Sequence, residues 1–281
     1  MIKNLKNIFS AEKCLNSLIL NILGIQVFRY LFARILYSLK SLFKKNNQYK
    51  EVKERAYSKI IKFLTNEEFK KLEKECKVAI EDQRFAKRVS QQTDGKIDEG
   101  LEYISLTISK EIEQYYPNLY NILNNLSVKK YFHECELKSN VKIHARLEKI
   151  LVTDKSKVDP NKEYHFDTFH HTFKAWLFLN DVKKEHGPFK ILPKSHKISL
   201  SRILFEWKMS VMYSLKKINS SFRSIKSKDV IDKNAIDFPL EKNTFLMANV
   251  HALHRRGDAE NNTTRVAIQF WTRENPFKIF I

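Results

Sequence analysis

Glycine and proline are scarce in this 281-residue chain, five and six respectively, and cysteine occurs only three times. Cys14, Cys76 and Cys135 are widely spaced and odd in number, matching neither a zinc motif nor a disulfide framework, so reduced intracellular thiols are expected. Any apolar run able to span a bilayer is also missing. The longest stretch without charge, Cys14 to Phe28, falls short of the roughly 20 residues required, and Asn21 and Gly24 interrupt it. A secretory signal fits poorly, because the apolar pattern continues through Arg29 and Arg34 with no small-residue cleavage site. These absences predict a cytoplasmic protein, at most peripheral at the inner membrane face. Acidic residues are under-represented, 32 against 51 Lys and Arg, leaving a net charge of +19. Such a balance suits an anionic partner (lipid, nucleic acid or a small anion such as an acyl-CoA) or reflects only a compositional bias towards lysine, isoleucine and asparagine. Nucleic acid is the poorest of these, since aromatic residues do not interleave with the basic runs as a base-stacking platform would.

What is present describes a folded protein with a full core: 43% hydrophobic and 12% aromatic residues. Between about residues 15 and 43, Leu18, Ile22, Ile25, Phe28, Phe32, Ile35, Leu39 and Leu42 recur at helical spacing, with Arg29, Arg34, Lys40, Lys44 and Lys45 on the other side. This predicts an amphipathic basic helical segment over 1–48, either packed on the core or lying on an anionic membrane through residues 15–45. Thr65-Asn66-Glu67-Glu68 has capping-box form and opens a helix to about Ala86. Asp94-Gly95 and Glu99-Gly100 punctuate a loop, and Ser105 to Asn125 reads as a third helix bent at Pro117. From Ser127 the period changes, with β-rich runs at 127–134, 141–152, 163–169, 172–180, 187–192, 243–250 and 264–272. That is the signature of a sandwich or jelly roll. The interruption at about 197–238 carries helical spacing (Leu200, Ile203, Leu204, Trp207, Val211) and then a Ser/Lys-rich stretch, and reads as an insertion covering the site. The expected class is α+β, with a jelly-roll domain over 49–281 bearing flanking helices.

His165-Phe166-Asp167 places an imidazole and a hard carboxylate one residue apart on a strand, hence on one face. Downstream, His254 can complete a two-histidine, one-carboxylate set, which holds ferrous iron with positions left open for cosubstrate and dioxygen. His251 competes with His254 for that third place, but three-residue spacing lets at most one of them face the metal and the distance to Arg265 favours His254, leaving His251 beside the ligands or as a core histidine. Arg265 follows eleven positions after His254, and its planar fork suits a carboxylate. On an alternating strand it shares a face with Ala267 and Gln269. Lys174 would share the inward face of its strand with Trp176 and Phe178; a buried lysine needs an anion, so contact with a cosubstrate or substrate carboxylate is expected. His170 and His171 lie near the loop mouth, either touching substrate or simply exposed.

The run from His165 through "HTFKAWLFLNDV", "GPF" and "LPKSHK", together with Asn249-Val250-His251-Ala252-Leu253-His254-Arg255-Arg256-Gly257 and Arg265, resembles the phytanoyl-CoA dioxygenase family of iron(II)- and 2-oxoglutarate-dependent oxygenases. The likeness covers about residues 140–275. It departs at Lys194, where the family usually has glycine. The resemblance implies a double-stranded β-helix (jelly roll, cupin-like) core with N-terminal helices packed on it. It implies His165, Asp167 and His254 as iron ligands, Arg265 as partner of the distal 2-oxoglutarate carboxylate, and Fe(II), 2-oxoglutarate and O2 as cofactor and cosubstrates. The retained Asp167 favours hydroxylation over halogenation, because related halogenases lack the carboxylate. The implied activity is hydroxylation of an unactivated carbon in a small, lipid-like or acyl molecule, with release of succinate and CO2. The alternative is a non-catalytic jelly-roll binding protein with a basic membrane-surface helix.

Overall fold

The computed structural model describes residues 7–42, 47–89, 92–93, 96–218, 223–225 and 234–278. Its helices are α1 (Leu18–Ile22), α2 (Ile25–Leu42), α3 (Asn47–Arg55), α4 (Asn66–Ala79), α5 (Pro117–Asn121), α6 (Leu126–Glu136) and α7 (Leu200–Ser214). The strands are β1 (Tyr57–Ile60), β2 (Lys87–Arg88), β3 (Gln92–Thr93), β4 (Lys96–Ile97), β5 (Leu101–Thr107), β6 (His144–Val152), β7 (Tyr164–His165), β8 (Phe173–Phe178), β9 (Phe189–Ile191), β10 (Ser224–Ile225), β11 (Ile236–Phe238), β12 (Phe245–Asn249), β13 (His254–Arg256) and β14 (Thr264–Trp271). Two antiparallel sheets form the jelly roll, ordered β1-β12-β8-β14-β6-β5-β2 and β10-β7-β13-β9-β11.

Alternation along the strands of the larger sheet builds two cores. On β8, Phe173, Ala175 and Leu177 point outward to helices α4 and α6, together with Phe245 and Met247 of β12 and Ile268 and Phe270 of β14. Trp176 and Phe178 point between the sheets, where they meet Leu246, Ala248, Phe189 and Ile191. Every strand of this sheet segment is therefore buried on both faces. That explains why Thr172 to Asn180 reads as a nearly continuous apolar run with one charge, Lys174.

Several local expectations fail for identifiable reasons. Residues 127–134 form part of helix α6, not a strand: Val128, Tyr131, Phe132 and Cys135 are buried at spacings of three and four, and the Asn125 side chain caps the helix by accepting from the Ser127 and Val128 N–H groups. The β-branched and aromatic content of that run concealed its period. Leu101–Thr107 is strand β5, paired with β6 along its length, where a helix from Ser105 to Asn125 is predicted; only Pro117–Asn121 is α-helical, with Pro117 in the first turn. The Thr65 capping box is present, but its helix stops at Ala79 instead of Ala86. The 163–169 run contracts to Tyr164–His165. The segment 197–238 is not a simple excursion, because β10 and β11 pair into the smaller sheet with β7 and β9. Asp94-Gly95 and much of the Ser/Lys-rich stretch lie outside the described residues.

Gly24, at φ +86, separates α1 from α2. Both helices pack against α7. The face turned inward is mixed: Gln26 and Arg29 are buried together with Tyr30, Ala33 and Leu36, whereas Phe28, Ile35 and Leu39 of the predicted apolar stripe are exposed. Arg29, read from the sequence as part of the basic side, is fully enclosed and donates to the carbonyls of Ile8, Ser10 and Glu12.

Candidate active site

The two histidines meet because β13 pairs with β7 in a register that sets His254 directly opposite His165, with ring centroids 4.3 Å apart. Asp167 lies beyond the end of β7, and its backbone N–H donates to Val250 O at 3.1 Å, which holds the carboxylate beside the pair. Phe166, between the two polar residues, turns away into a buried cluster with Tyr164 and Leu253. The period-two relation of His165 and Asp167 thus survives although the strand itself does not extend that far. Ligand atoms of His165, Asp167 and His254 all fall within 4.8 Å of one another.

Each imidazole is oriented by its other nitrogen. His165 Nδ1 lies 2.9 Å from Glu163 O, and His254 Nδ1 lies 2.9 Å from Ala252 O. With Nδ1–H donating to a carbonyl, the Nε2 lone pair is free, and the Nε2 atoms sit 3.6 Å (His165) and 3.5 Å (His254) from Asp167 Oδ1. These separations are too long for hydrogen bonds, so the three donors converge on a point between them without satisfying each other. Burial, then the neighbouring His165, pushes the His254 pKa down to about 3, despite the opposing pull of Asp167. A neutral imidazole is the form that binds a metal. For Asp167, burial favours the neutral acid, but Lys174 and the two histidines outweigh it and hold the carboxyl well below the usual range. The donor set of two imidazoles and one carboxylate fits a divalent first-row metal.

Lys174 Nζ is 2.6 Å from Asp167 Oδ2, the oxygen that faces away from the histidines. It therefore reaches the expected inward face beside Trp176 and Phe178, and its anion in this structure is the triad carboxylate. Arg265 lines the same cavity of about 300 Å³ as His165, Lys174 and His254. Its Nη1 donates to Gly187 O at 2.8 Å. Gly187 has φ +63, and a Cβ there would meet Gly257 O at 2.9 Å, so the carbonyl that steadies the arginine depends on glycine. Burial, then nearby Arg256, lowers the Arg265 pKa to about 10, which leaves it a cation at neutral pH. Gln269 shares its face and also lines the cavity. A second cavity of about 540 Å³, lined by Asp167, His170, Trp271 and Arg273, shares Arg146, Lys174 and Gln269 with the first.

Of the remaining histidines, His251 sits in the core as the sequence reading allowed, whereas His170 and His171 depart from the exposed-loop alternative. His251 is fully buried, outside the triad, with Nδ1 3.2 Å from both Thr168 O and Arg202 Nη2. His170 is buried, and His171 stacks on Tyr37 at 4.0 Å and contacts the Asn249 amide, so neither is an exposed loop residue. Lys194, at the departure from the family's glycine, adopts φ +66. The turn it begins still positions the site: Ser195 Oγ accepts from Leu253 N–H at 2.8 Å, one residue before His254.

Sequence reasoning overlooked Arg256 and Arg146, which line the cavity, and a buried charge cluster behind the site. Arg256 alternates with His254 on β13 and pairs with Asp159 at 3.1 Å; its spacing from His254 was a usable signal. In the cluster, Glu206 is enclosed between Arg202, 2.9 Å away, and Arg223. Arg202 lies 3.4 Å over the Phe166 ring and donates to Thr168 O and His251 O, so it braces the Phe166-Asp167-Thr168 segment from outside the barrel. The i,i+4 spacing of Arg202 and Glu206 was a usable signal, but no short-range pattern joins them to Arg223 or to the Phe166-Asp167-Thr168 segment.

No protein-family model and no curated protein sequence matches the chain. Solved structures do share its architecture. The non-heme α-ketoglutarate-dependent epimerase SnoN from nogalamycin biosynthesis aligns with a TM-score of 0.51 at 12% identity, over 80% of each chain. The carbocyclase SnoK from the same biosynthesis aligns with a TM-score of 0.51 at 12% identity, over 82% of this chain and 84% of its own. AviO1 from Streptomyces viridochromogenes Tue57 gives a TM-score of 0.51 at 10% identity, over 81% of this chain and 93% of its own. At these identities the likeness speaks for the fold, a jelly-roll core with added helices, which this chain shares with α-ketoglutarate-dependent non-heme enzymes.

Proposed function

We propose that this chain is an iron(II)- and 2-oxoglutarate-dependent dioxygenase that hydroxylates an unactivated carbon of a small molecule, of the kind represented by the phytanoyl-CoA dioxygenase family. The observation that carries the reading is the convergence of His165, Asp167 and His254 within 4.8 Å, with Arg265 in the same cavity. SnoN has been solved in complex with Fe3+, α-ketoglutarate and nogalamycin RO, which supports the same pairing of metal and cosubstrate here.

In this reading His165, Asp167 and His254 hold the metal, which when bound supplies dioxygen activation. Arg265 grips the distal carboxylate of 2-oxoglutarate through its fork. Lys174 keeps Asp167 ionised at Oδ2 and offers its charge to the anionic cosubstrate in the shared cavity. Trp176, Phe178 and Phe189 line that cavity and exclude water from it. The overall reaction consumes 2-oxoglutarate, O2 and a C–H bond and yields succinate, CO2 and an alcohol. The substrate is proposed to occupy the second cavity, where Arg146 and Arg273 suit an anionic group and Trp271 an apolar one, as in a lipid-like or acyl molecule.

Anaerobic ferrous titration and substrate-independent conversion of 2-oxoglutarate to succinate test the reading. Both are expected in the wild-type protein and absent after His165→Ala or Asp167→Ala; a wild-type protein showing neither sinks the enzyme proposal. SnoN and SnoK are an epimerase and a carbocyclase, so hydroxylation requires its own measurement. Mass spectrometry of metabolite extracts incubated with enzyme, Fe(II) and 2-oxoglutarate should show a product heavier by one oxygen. A product isomeric with its substrate, or lighter by two hydrogens, would replace hydroxylation with epimerisation or ring closure.

A further inference from the structure

Helices α1, α2 and α7 turn large apolar side chains to the outside. On α2, Phe28, Ile35 and Leu39 lie on one stripe opposite the buried Gln26, Arg29 and Ala33. Leu23, at the end of α1, is 77% exposed, and Leu204 and Trp207 extend the surface onto α7. The Trp207 indole donates to Ile22 O at 3.2 Å, which fastens α7 to α1 and makes the exposed side chains neighbours. Isolated exposed leucines are ordinary, but a stripe continued over three packed helices marks an interaction surface.

The charges around it choose the partner. No Asp or Glu occurs between Glu12 and Glu51. The single acid of α7, Glu206, is enclosed by Arg202 and Arg223. Lys208, Lys216 and Lys217 are exposed on and just after α7. An apolar stripe flanked by cations, with no exposed carboxylate on the three helices that carry it, is the pattern of a helix lying in a lipid interface. No described helix is long and apolar enough to cross a membrane. A second copy packed on the same face would set these lysines against their own equivalents, and a nucleic acid has nothing to cover the leucines.

We propose that α1, α2 and α7 form a docking face for an anionic bilayer surface, with the apolar stripe at the acyl boundary and the lysines at the headgroups. This holds whether or not the proposed catalysis does.

Co-sedimentation of the full chain with phosphatidylcholine vesicles, with and without phosphatidylglycerol, tests it. The expected result is binding to the phosphatidylglycerol vesicles only, weakened by salt and accompanied by a fluorescence blue shift that Trp207→Phe removes. Leu23→Glu with Leu39→Glu should lower the affinity by at least about tenfold while leaving the thermal midpoint unchanged. Lys208→Glu with Lys216→Glu should lower it several-fold and serves if the first variant misfolds. Absent binding, equal binding to both vesicle types, or undiminished binding by both variants overturns the proposal. So does a wild-type dimer, blind to vesicles, that Leu23→Glu with Leu39→Glu converts to a monomer, an outcome that assigns the face to a second copy.

Discussion

Replacing Glu206 with leucine should be among the most damaging single changes outside the His165-Asp167-His254 triad. Its carboxylate is fully buried, 2.9 Å from Arg202 Nε, in contact with Arg223 and 3.3 Å from the Gln26 amide. Both arginines are themselves at most 3% exposed. Leucine would leave two guanidinium groups in a dry site with backbone carbonyls as their main compensation. Removing one member of a buried ion pair typically costs about 3–5 kcal/mol, which for a chain of this size lowers the thermal midpoint by roughly 10 °C. Urea unfolding of wild type and Glu206→Leu measures the difference directly. Burial alone would raise the Glu206 pKa, but Arg223 and Arg202 outweigh it and the net direction is downward. A carboxyl whose folded pKa is depressed contributes stability above its unfolded value of about 4.3 and loses it as the pH falls through the folded value. The stability gap between wild type and Glu206→Gln should therefore be full at neutral pH and close only below about pH 4. A loss under about 1 kcal/mol for Glu206→Leu, or a gap unchanged down to strongly acidic pH, would refute this account of the cluster.

Three further outcomes follow from the site. Arg265→Met should raise the 2-oxoglutarate concentration for half-maximal succinate release by roughly tenfold to a hundredfold, the worth of a charged hydrogen-bonded pair, with ferrous affinity little changed; an unaltered dependence would remove Arg265 from the cosubstrate site. Lys174→Met takes away the main influence that opposes burial at Asp167, so its carboxyl pKa rises and ferrous binding, followed against pH, should fail at a higher pH than in wild type. The same variant should raise the half-saturating 2-oxoglutarate concentration, and identical behaviour of both proteins would reduce Lys174 to a spectator. Lys194→Gly relieves a left-handed residue at φ +66 and should stabilise the fold by up to about 1 kcal/mol in thermal or urea unfolding; a destabilised variant would show that the lysine side chain supports the turn.

The central strands were legible because burial on both faces makes each a short, nearly continuous apolar run: 172–180, 243–250 and 264–272 lie within a residue or two of β8, β12 and β14. These same strands carry Lys174 and Arg265 into the cavity, so much of the site could be read with them. The spacing of His165 and Asp167 is a weak signal alone and gained its weight from the strand running to Asp181-Val182 and from the distant His254 and Arg265. Where reading failed, composition and period disagreed. Residues 127–134 have β-forming side chains on a helical period, and Leu101–Thr107 follows a glycine-marked loop and takes its pairing from β6, a partner more than 40 residues later. The face that α2 buries was hidden for a different reason. An amphipathic pattern does not say which residues the protein encloses, and here Gln26 and Arg29 find enough partners within the molecule to be buried beside Tyr30, Ala33 and Leu36.

Helix α7 carries Leu204 and Trp207 on its outer side and, within one turn, Arg202 and Glu206 on its inner side, where Arg202 rests on Phe166 between two triad residues. Any displacement of that helix is therefore felt at both places. Thermodynamic linkage then imposes reciprocity: the factor by which a vesicle surface changes ferrous affinity must equal the factor by which ferrous iron changes affinity for the vesicle. A single rigid helix turns two separate binding measurements into checks on each other.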